Sequence, residues 1–269
     1  MASDPSLTTL EAPPEKPAAP PRYKFRVRYR KAGDLRLVSH HDLMHVCERM
    51  FRRANLEVPV TQGFNPRPKM WFASAIALGV AGLNEVLEFE LLQILSDEEV
   101  HRRLAQQAPP GMAILSVRAI DVKASARVRR ALYRLALPLG TSPGQAITAF
   151  MQQTEHWVER PRPRPRRINI RPFVHELNLH DDCLDMALWI TPNGAARPEE
   201  VVAALGLTEL LDNGAVIERT ELEIYDELPA DVEEAPLIQA AIEEISANDR
   251  ALPQERPTAI GDNPMSFDS

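Results

Sequence analysis

The chain has 269 residues, 44% hydrophobic and 26% charged, with a formal net charge of −7; that is enough apolar content for one large or two small cores. No run of about 18 apolar residues is present, so no helical membrane span is expected, and two cysteines, Cys47 and Cys183, can complete neither a four-cysteine zinc site nor a three-thiolate iron–sulfur cluster. From Asp231 onward there are nine acidic and two basic residues, so the acidity belongs to the tail and the body is neutral overall, which still permits local cationic patches.

Residues 1–22 carry Pro13, Pro14, Pro17, Pro20 and Pro21 without an apolar stretch, the composition of a disordered leader and not of a signal peptide. A strand is predicted from Tyr23 to Lys31. Tyr23, Phe25, Val27 and Tyr29 share one face; Lys24, Arg26, Arg28 and Arg30 share the other. After the turn at Gly33-Asp34, Ser39 N-caps a predicted helix, with Asp42 three positions on. Leu43, Val46, Cys47, Met50 and Phe51 form its apolar stripe, Arg52 and Arg53 suit its C-terminal end, and Asn55 stops it. Strand-like segments follow at Glu57–Thr61, Met70–Leu78 and Asn84–Leu92, then a helix at Ser96–Gln107 and a strand at Met112–Val122. This is the order of a ferredoxin-like unit over residues 23–122.

The order recurs over residues 128–226. Strands are expected at Ala131–Leu137, Glu155–Glu159, Ile168–Leu179, Cys183–Thr191 and Val216–Tyr225, with helices from Thr141–Pro143 to Gln153 and from Pro198 to Leu205. The expected fold is therefore α+β: two tandem ferredoxin-like (βαββαβ) units with antiparallel sheets, between the leader and an acidic, mostly disordered tail at 230–269. Within the tail, Pro236 to Ile245 has the spacing of a short amphipathic helix. The two cysteines lie in apolar patterns and fit reduced thiols in a cytoplasmic protein.

Four features carry candidate chemistry. An open sheet face bearing Lys24, Arg26, Arg28 and Arg30 would offer phosphate contacts to RNA, unless Glu85, Glu88 and Glu90 on a neighbouring strand neutralise it. His40 has an ordinary pKa of about 6.5 and suits general acid–base work, with Asp42 or Glu88 as its partner. The alternative is a plain cap in which Ser39 and Asp42 satisfy helix amides and His40 packs. His41 and His45 have chelating spacing, but no further ligand pair follows and no metal site is assigned. The loop Gln62–Pro68 is stiffened by Pro66 and Pro68, which preorganises Asn65 and Arg67, while Gly63 permits a positive φ and Phe64 can anchor the loop in a core. A binding loop and a simple crossover are both open. Finally, Arg160 to Arg167 alternates arginine with proline. Its Arg162, Arg164 and Arg166 could lie along a phosphate backbone as an extended rod, or the run is a hairpin tip.

Arg36-Leu37-Val38-Ser39-His40-His41-Asp42-Leu43-Met44, Arg52-Arg53-Ala54 and Gln62-Gly63-Phe64-Asn65-Pro66-Arg67-Pro68 together resemble the radical-SAM-linked domain family of unknown function. The resemblance runs from about Tyr23 to Tyr225. It implies a companion of a cobalamin-binding radical SAM protein: the partner would carry the iron–sulfur cluster, S-adenosylmethionine and cobalamin, and this chain would bind no cofactor. It also marks Ser39, His40 and Asp42 as the family-type positions. The function expected is a non-catalytic accessory module that presents an RNA or ribonucleoprotein substrate, tRNA or rRNA, to that partner. The alternative is a stand-alone RNA-processing or RNA-modifying enzyme using His40 as acid or base.

Overall fold

The structure, a computed structural model, describes residues 21–161, 165–236, 238 and 242–244. The leader at 1–20, Arg162 and Arg164 of the arginine–proline run, and most of the tail lie outside the described residues. The fold is a mixed α+β body built on a large, mostly antiparallel sheet with few helices.

The first half runs β1 (Tyr23–Lys31), α1 (His40–Arg53), β2 (Met70–Phe72), β3 (Ala81–Leu91), α2 (Asp97–Gln107) and β4 (Met112–Ile120). The second half runs β5 (Val128–Ala136), α3 (Gly144–Gln152), β6 (Trp157–Arg160), β7 (Arg166–Asn169), β8 (Val174–His180), β9 (Cys183–Thr191), β10 (Gly194–Ala195), α4 (Pro198–Ala204), α5 (Thr208–Asp212) and β11 (Ile217–Ile224); β12 (Ile242–Glu244) follows in the tail. Nine strands form one sheet in the order β10-β9-β5-β11-β3-β1-β4, with β2 added on β3 and β8 on β9. The halves meet where β11 pairs with β3, the one parallel pairing among the described strands. A smaller sheet holds β12-β7-β6.

The period-2 alternation of β1 explains its role. Phe25, Val27 and Tyr29 are buried beneath α1 and α2, in a cluster with Leu43, Cys47, Met50, Phe89 and Leu104. Burial pushes the Cys47 thiol up to about 12, so it packs as a hydrophobe and is not a nucleophile. A second cluster underlies the other half, around Leu135, Phe150, Phe173, Leu188, Val201 and Leu222.

Several predicted elements are shorter or different. The Glu57–Thr61 strand reduces to a bridge between Val60 and Pro68. The Met70–Leu78 strand stops at Phe72, because the carbonyls of Ser74 and Ala75 turn toward the Arg219 guanidinium instead of a neighbouring strand. The Ile168–Leu179 strand is broken into β7 and β8 by a 3-10 turn at Arg171–Phe173, where Pro172 has no amide to donate. The short α5 was not predicted. Within the tail, expected to be mostly disordered with helical spacing from Pro236 to Ile245, the described residues include β12: it pairs antiparallel with the edge of β7, setting Glu243 opposite Arg167 and Glu244 opposite Arg166 in register. An unpaired strand edge next to an acidic segment competes well against an uncapped helix of a single turn or two.

Candidate functional site

The cationic face of β1 is not open. The Arg26 side chain is 1% exposed and pairs with Glu88 at 2.8 Å, Asp226 at 2.8 Å and Glu227 at 2.9 Å. Lys24 is buried, 2.8 Å from Glu88, and also donates to the carbonyl of Ala124. Arg28 bonds Glu221 at 2.8 Å, the carbonyl of Leu222 at 2.9 Å and Glu227. Only Arg30 keeps an exposed side chain. The expectation of an open phosphate-binding surface at Lys24, Arg26 and Arg28 is therefore corrected. The pattern identified the right face, but the turn Tyr225–Glu227 lies across it and supplies carboxylates from about 200 positions away. Of the three glutamates on β3, Glu88 does neutralise Lys24 and Arg26, while Glu90 pairs with Arg22 and Lys69 and Glu85 with Arg219.

Burial works against the Arg26 charge, yet Glu227, Glu88 and Asp226 outweigh it and hold its pKa above the ordinary value. Burial likewise opposes ionisation of Glu227, and the hydrogen bonds from Arg28 and Arg26 overcome it, so its pKa lies below the ordinary 4.5. Glu223 is lowered in the same way, against burial, by Arg130 and Arg129. A carboxylate with a depressed native pKa contributes stability that is present above its unfolded value and lost as pH falls through the native one. Thermal melts are thus expected to show a midpoint that drops as pH is lowered from about 4.5 toward 3. A flat midpoint across that interval would contradict these pairings.

At the start of α1 the capping reading is sufficient for Ser39 and Asp42. The Asp42 amide donates to Ser39 Oγ at 3.2 Å, and Ser39 Oγ donates to the Asp42 carboxylate at 2.6 Å. His40 is half-buried and meets the ring of Phe72 edge-on, with centroids 5.0 Å apart. Burial lowers its pKa, and Lys31 and His41 push it further down, so the imidazole is held neutral. Lys31 itself is fully buried and donates to the carbonyl of Val38 at 2.9 Å. The acid–base partner expected for His40 is not in place: Asp42 is bonded to Ser39, and Glu88 is committed to Lys24 and Arg26. His41 and His45 stack edge-on at 4.6 Å, and His45 Nδ1 lies 3.1 Å from Glu48. No group of three or more His, Cys, Asp or Glu arranged to hold a metal occurs among the described residues.

The loop after α1 is a pinned hairpin. Lys69 N donates to Pro59 O at 2.8 Å, Thr61 N to Arg67 O at 2.8 Å, and Arg67 N to Thr61 Oγ1 at 3.1 Å. Gly63 takes φ 136°, a value that favours glycine. Phe64 does not anchor a core as expected: it stands wholly exposed at the tip, with Asn65, Pro66 and Arg67 exposed beside it. The pinned stem directs the tip away from the body, so the ring has nothing to pack against. The Arg67 guanidinium has no partner among the described residues. The loop leads straight into β2, whose Phe72 meets His40, and the adjoining Trp71 is 44% exposed with Lys24 Nζ 5.0 Å over its ring. The structure thus joins the leading turn of α1 to the base of the loop; of the paired cations of β1, Lys24 reaches this side over the Trp71 ring, while Arg26 and Arg28 are held by the turn at Tyr225–Glu227. Sequence reasoning overlooked Trp71; the signal for it was an aromatic at an outward position in the predicted strand.

Fold and site together define an α+β protein with an exposed aromatic loop and without an assembled acid–base pair at His40. The chain belongs to the family described as an uncharacterised protein conserved in bacteria, DUF2344, which matches residues 24–198. No curated protein matches it. Among solved structures, an unknown protein from Galdieria sulphuraria is 15% identical, with 76% of this chain and 99% of that chain covered and a TM-score of 0.25. The small subunit of acetolactate synthase from Thermotoga maritima is 11% identical, with 76% and 96% covered and a TM-score of 0.19.

Proposed function

We propose that this chain is a non-catalytic accessory module that presents an RNA or ribonucleoprotein substrate, tRNA or rRNA, to a radical SAM partner, and that the contact face is the loop at 60–68 and not β1. The observation that carries the reading is Phe64, a fully exposed ring on a pinned, proline-stiffened tip, with an unpaired arginine three residues away. A loop whose backbone is already pinned has less freedom to lose when a base stacks on the ring it carries, and Arg67 can reach a phosphate from the same loop. The radical SAM partner rests on the resemblance of Ser39–Met44 and Gln62–Pro68, and the cofactors of any reaction would be the partner's. His40 has its pKa lowered by burial, and the carboxylates of Asp42 and Glu88 are bonded elsewhere, which favours binding over catalysis. The tandem ferredoxin-like reading belongs to the same proposal. It is supported by the strand orders β4-β1-β3-β2 in the first half and β11-β5-β9-β8 in the second.

Filter-binding titrations with tRNA and rRNA fragments test it. Loss of one stacked base is worth about 1–3 kcal/mol, so Phe64→Ala is expected to weaken binding roughly 5- to 150-fold. Arg67→Ser is expected to lower the salt dependence by about one phosphate contact. Wild-type affinity in both variants would remove the loop from the interface.

A further inference from the structure

We propose that a cavity lined mainly by the second half of the molecule and closed by the segment after β2 is a nucleotide site, in which Arg166 and Arg197 hold a phosphate and Glu199 holds the N–H edge of a guanine base. The cavity has a volume of about 560 Å³ and opens between the segment after β2, strand β7, the β9–β10 hairpin and the start of α4. Small-molecule sites run from about 300 to 1,000 Å³, and an inorganic anion alone would leave most of this one empty.

Its polar lining divides into committed and uncommitted groups. Arg160 is held by both oxygens of Glu200 at 2.6 Å and by the carbonyl of Ala195 at 2.9 Å. Arg219 is held by Glu85 and by Ser74 Oγ at 3.2 Å. Arg166, Arg197 and Glu199 are different. Arg166 Nε is buried without a hydrogen-bond partner, and so is Glu199 Oε2. The Arg197 side chain is 50% exposed and comes no nearer to Glu200 than 4.0 Å. Arg166 and Glu199 line the same space, yet no ion pair joins them. Buried polar atoms left open in this way call for a partner from outside the chain. An unpartnered Arg166, an Arg197 held only by its long contact to Glu200, and an open Glu199 carboxylate ask for a single molecule that is anionic at one end and a hydrogen-bond donor at the other.

A nucleotide meets that description. Guanine presents N1–H and an N2 amino group side by side, two donors for one carboxylate. Adenine and cytosine set an acceptor next to their amino group, which a carboxylate repels. Ala75, Ile76, Leu188 and Ala196 supply apolar contact, and the ring of Tyr133 forms part of the wall. Neither Phe64 nor any other residue of the loop at 60–68 lines this cavity.

Isothermal titration calorimetry of the full chain with GMP, AMP and inorganic phosphate tests the site. GMP is expected to bind saturably and at least 10-fold tighter than AMP. Glu199→Gln is expected to erase that preference, and Arg166→Met to weaken both nucleotides about 10-fold. Neither side chain makes a hydrogen bond or ion pair in the structure, so both variants are expected to melt within a few degrees of the parent. On the unmodified chain, guanosine is expected to displace GMP better than adenosine does, a result independent of either substitution. A guanine-containing single-stranded pentanucleotide binding tighter than GMP would assign the site to RNA, and the reverse order to a free nucleotide. GMP binding no tighter than phosphate, or indifferent to both substitutions, would overturn the proposal. Phe64→Ala leaves GMP affinity unchanged, so this site and the loop fail or succeed separately.

Discussion

Arg219→Met should lower the stability of the chain by about 3–5 kcal/mol, the usual consequence of stranding one member of a buried ion pair. Arg219 and Glu85 are 2% and 1% exposed and bond through two nitrogens and two oxygens. They lie where β11 pairs with β3, the seam that turns two half-sheets into one. Burial opposes the Arg219 charge, but Glu85 and Tyr133 raise its pKa above the ordinary value, so it stays ionised in the interior. The same guanidinium holds Ser74 and Ala75 in place. Gly82, opposite Arg219 in register, is part of the arrangement, because a Cβ there would collide with the Glu85 side chain. At about 2–4 °C per kcal/mol for a chain of this size, calorimetry should resolve the loss easily. The double variant Arg219→Met, Glu85→Met should recover more than half of it, since a well-packed apolar pair can replace a buried ionic one. A double variant as unstable as the sum of the singles would show that the pair is not the seam's fastening.

Arg26→Met should also destabilise, by about 1–3 kcal/mol. The smaller figure follows from its partners. Glu88 would keep Lys24 at 2.8 Å, and Asp226 and Glu227, with side chains 46% and 22% exposed, can return to water. RNA affinity should be unchanged, because the arginine is spent on the turn at Tyr225–Glu227 and presents nothing outward. Urea titration and filter binding on one preparation separate the two effects. Unaltered stability with weakened RNA binding would restore β1 as the contact surface.

Local pattern carried far in this chain. The alternation from Tyr23 to Lys31 yields β1 with its observed bounds, the Ser39 cap and Asn55 stop bracket α1, and Ser96 caps α2. Asn55 even adopts the positive φ, 53°, that a helix stop requires. What period-2 spacing cannot report is what lies above a face. Lys24, Arg26 and Arg28 look alike whether water or carboxylates cover them, and the covering residues, Glu221 and Glu227, come from the far end of the chain. The Glu85–Arg219 pair spans 134 positions and has no local signature. Phe64 misled for the opposite reason. An aromatic between turn residues usually buries itself, and only the backbone bonds that pin the stem show that this one projects into solvent.

The loop's role is read most directly by photocrosslinking the full chain to 4-thiouridine-substituted tRNA and rRNA fragments and locating the attached nucleotide by mass spectrometry. Crosslinks are expected in the tryptic peptide from Ala54 to Lys69, centred on Phe64. Bound RNA that crosslinks only to other peptides, those of β1 among them, would contradict the assignment.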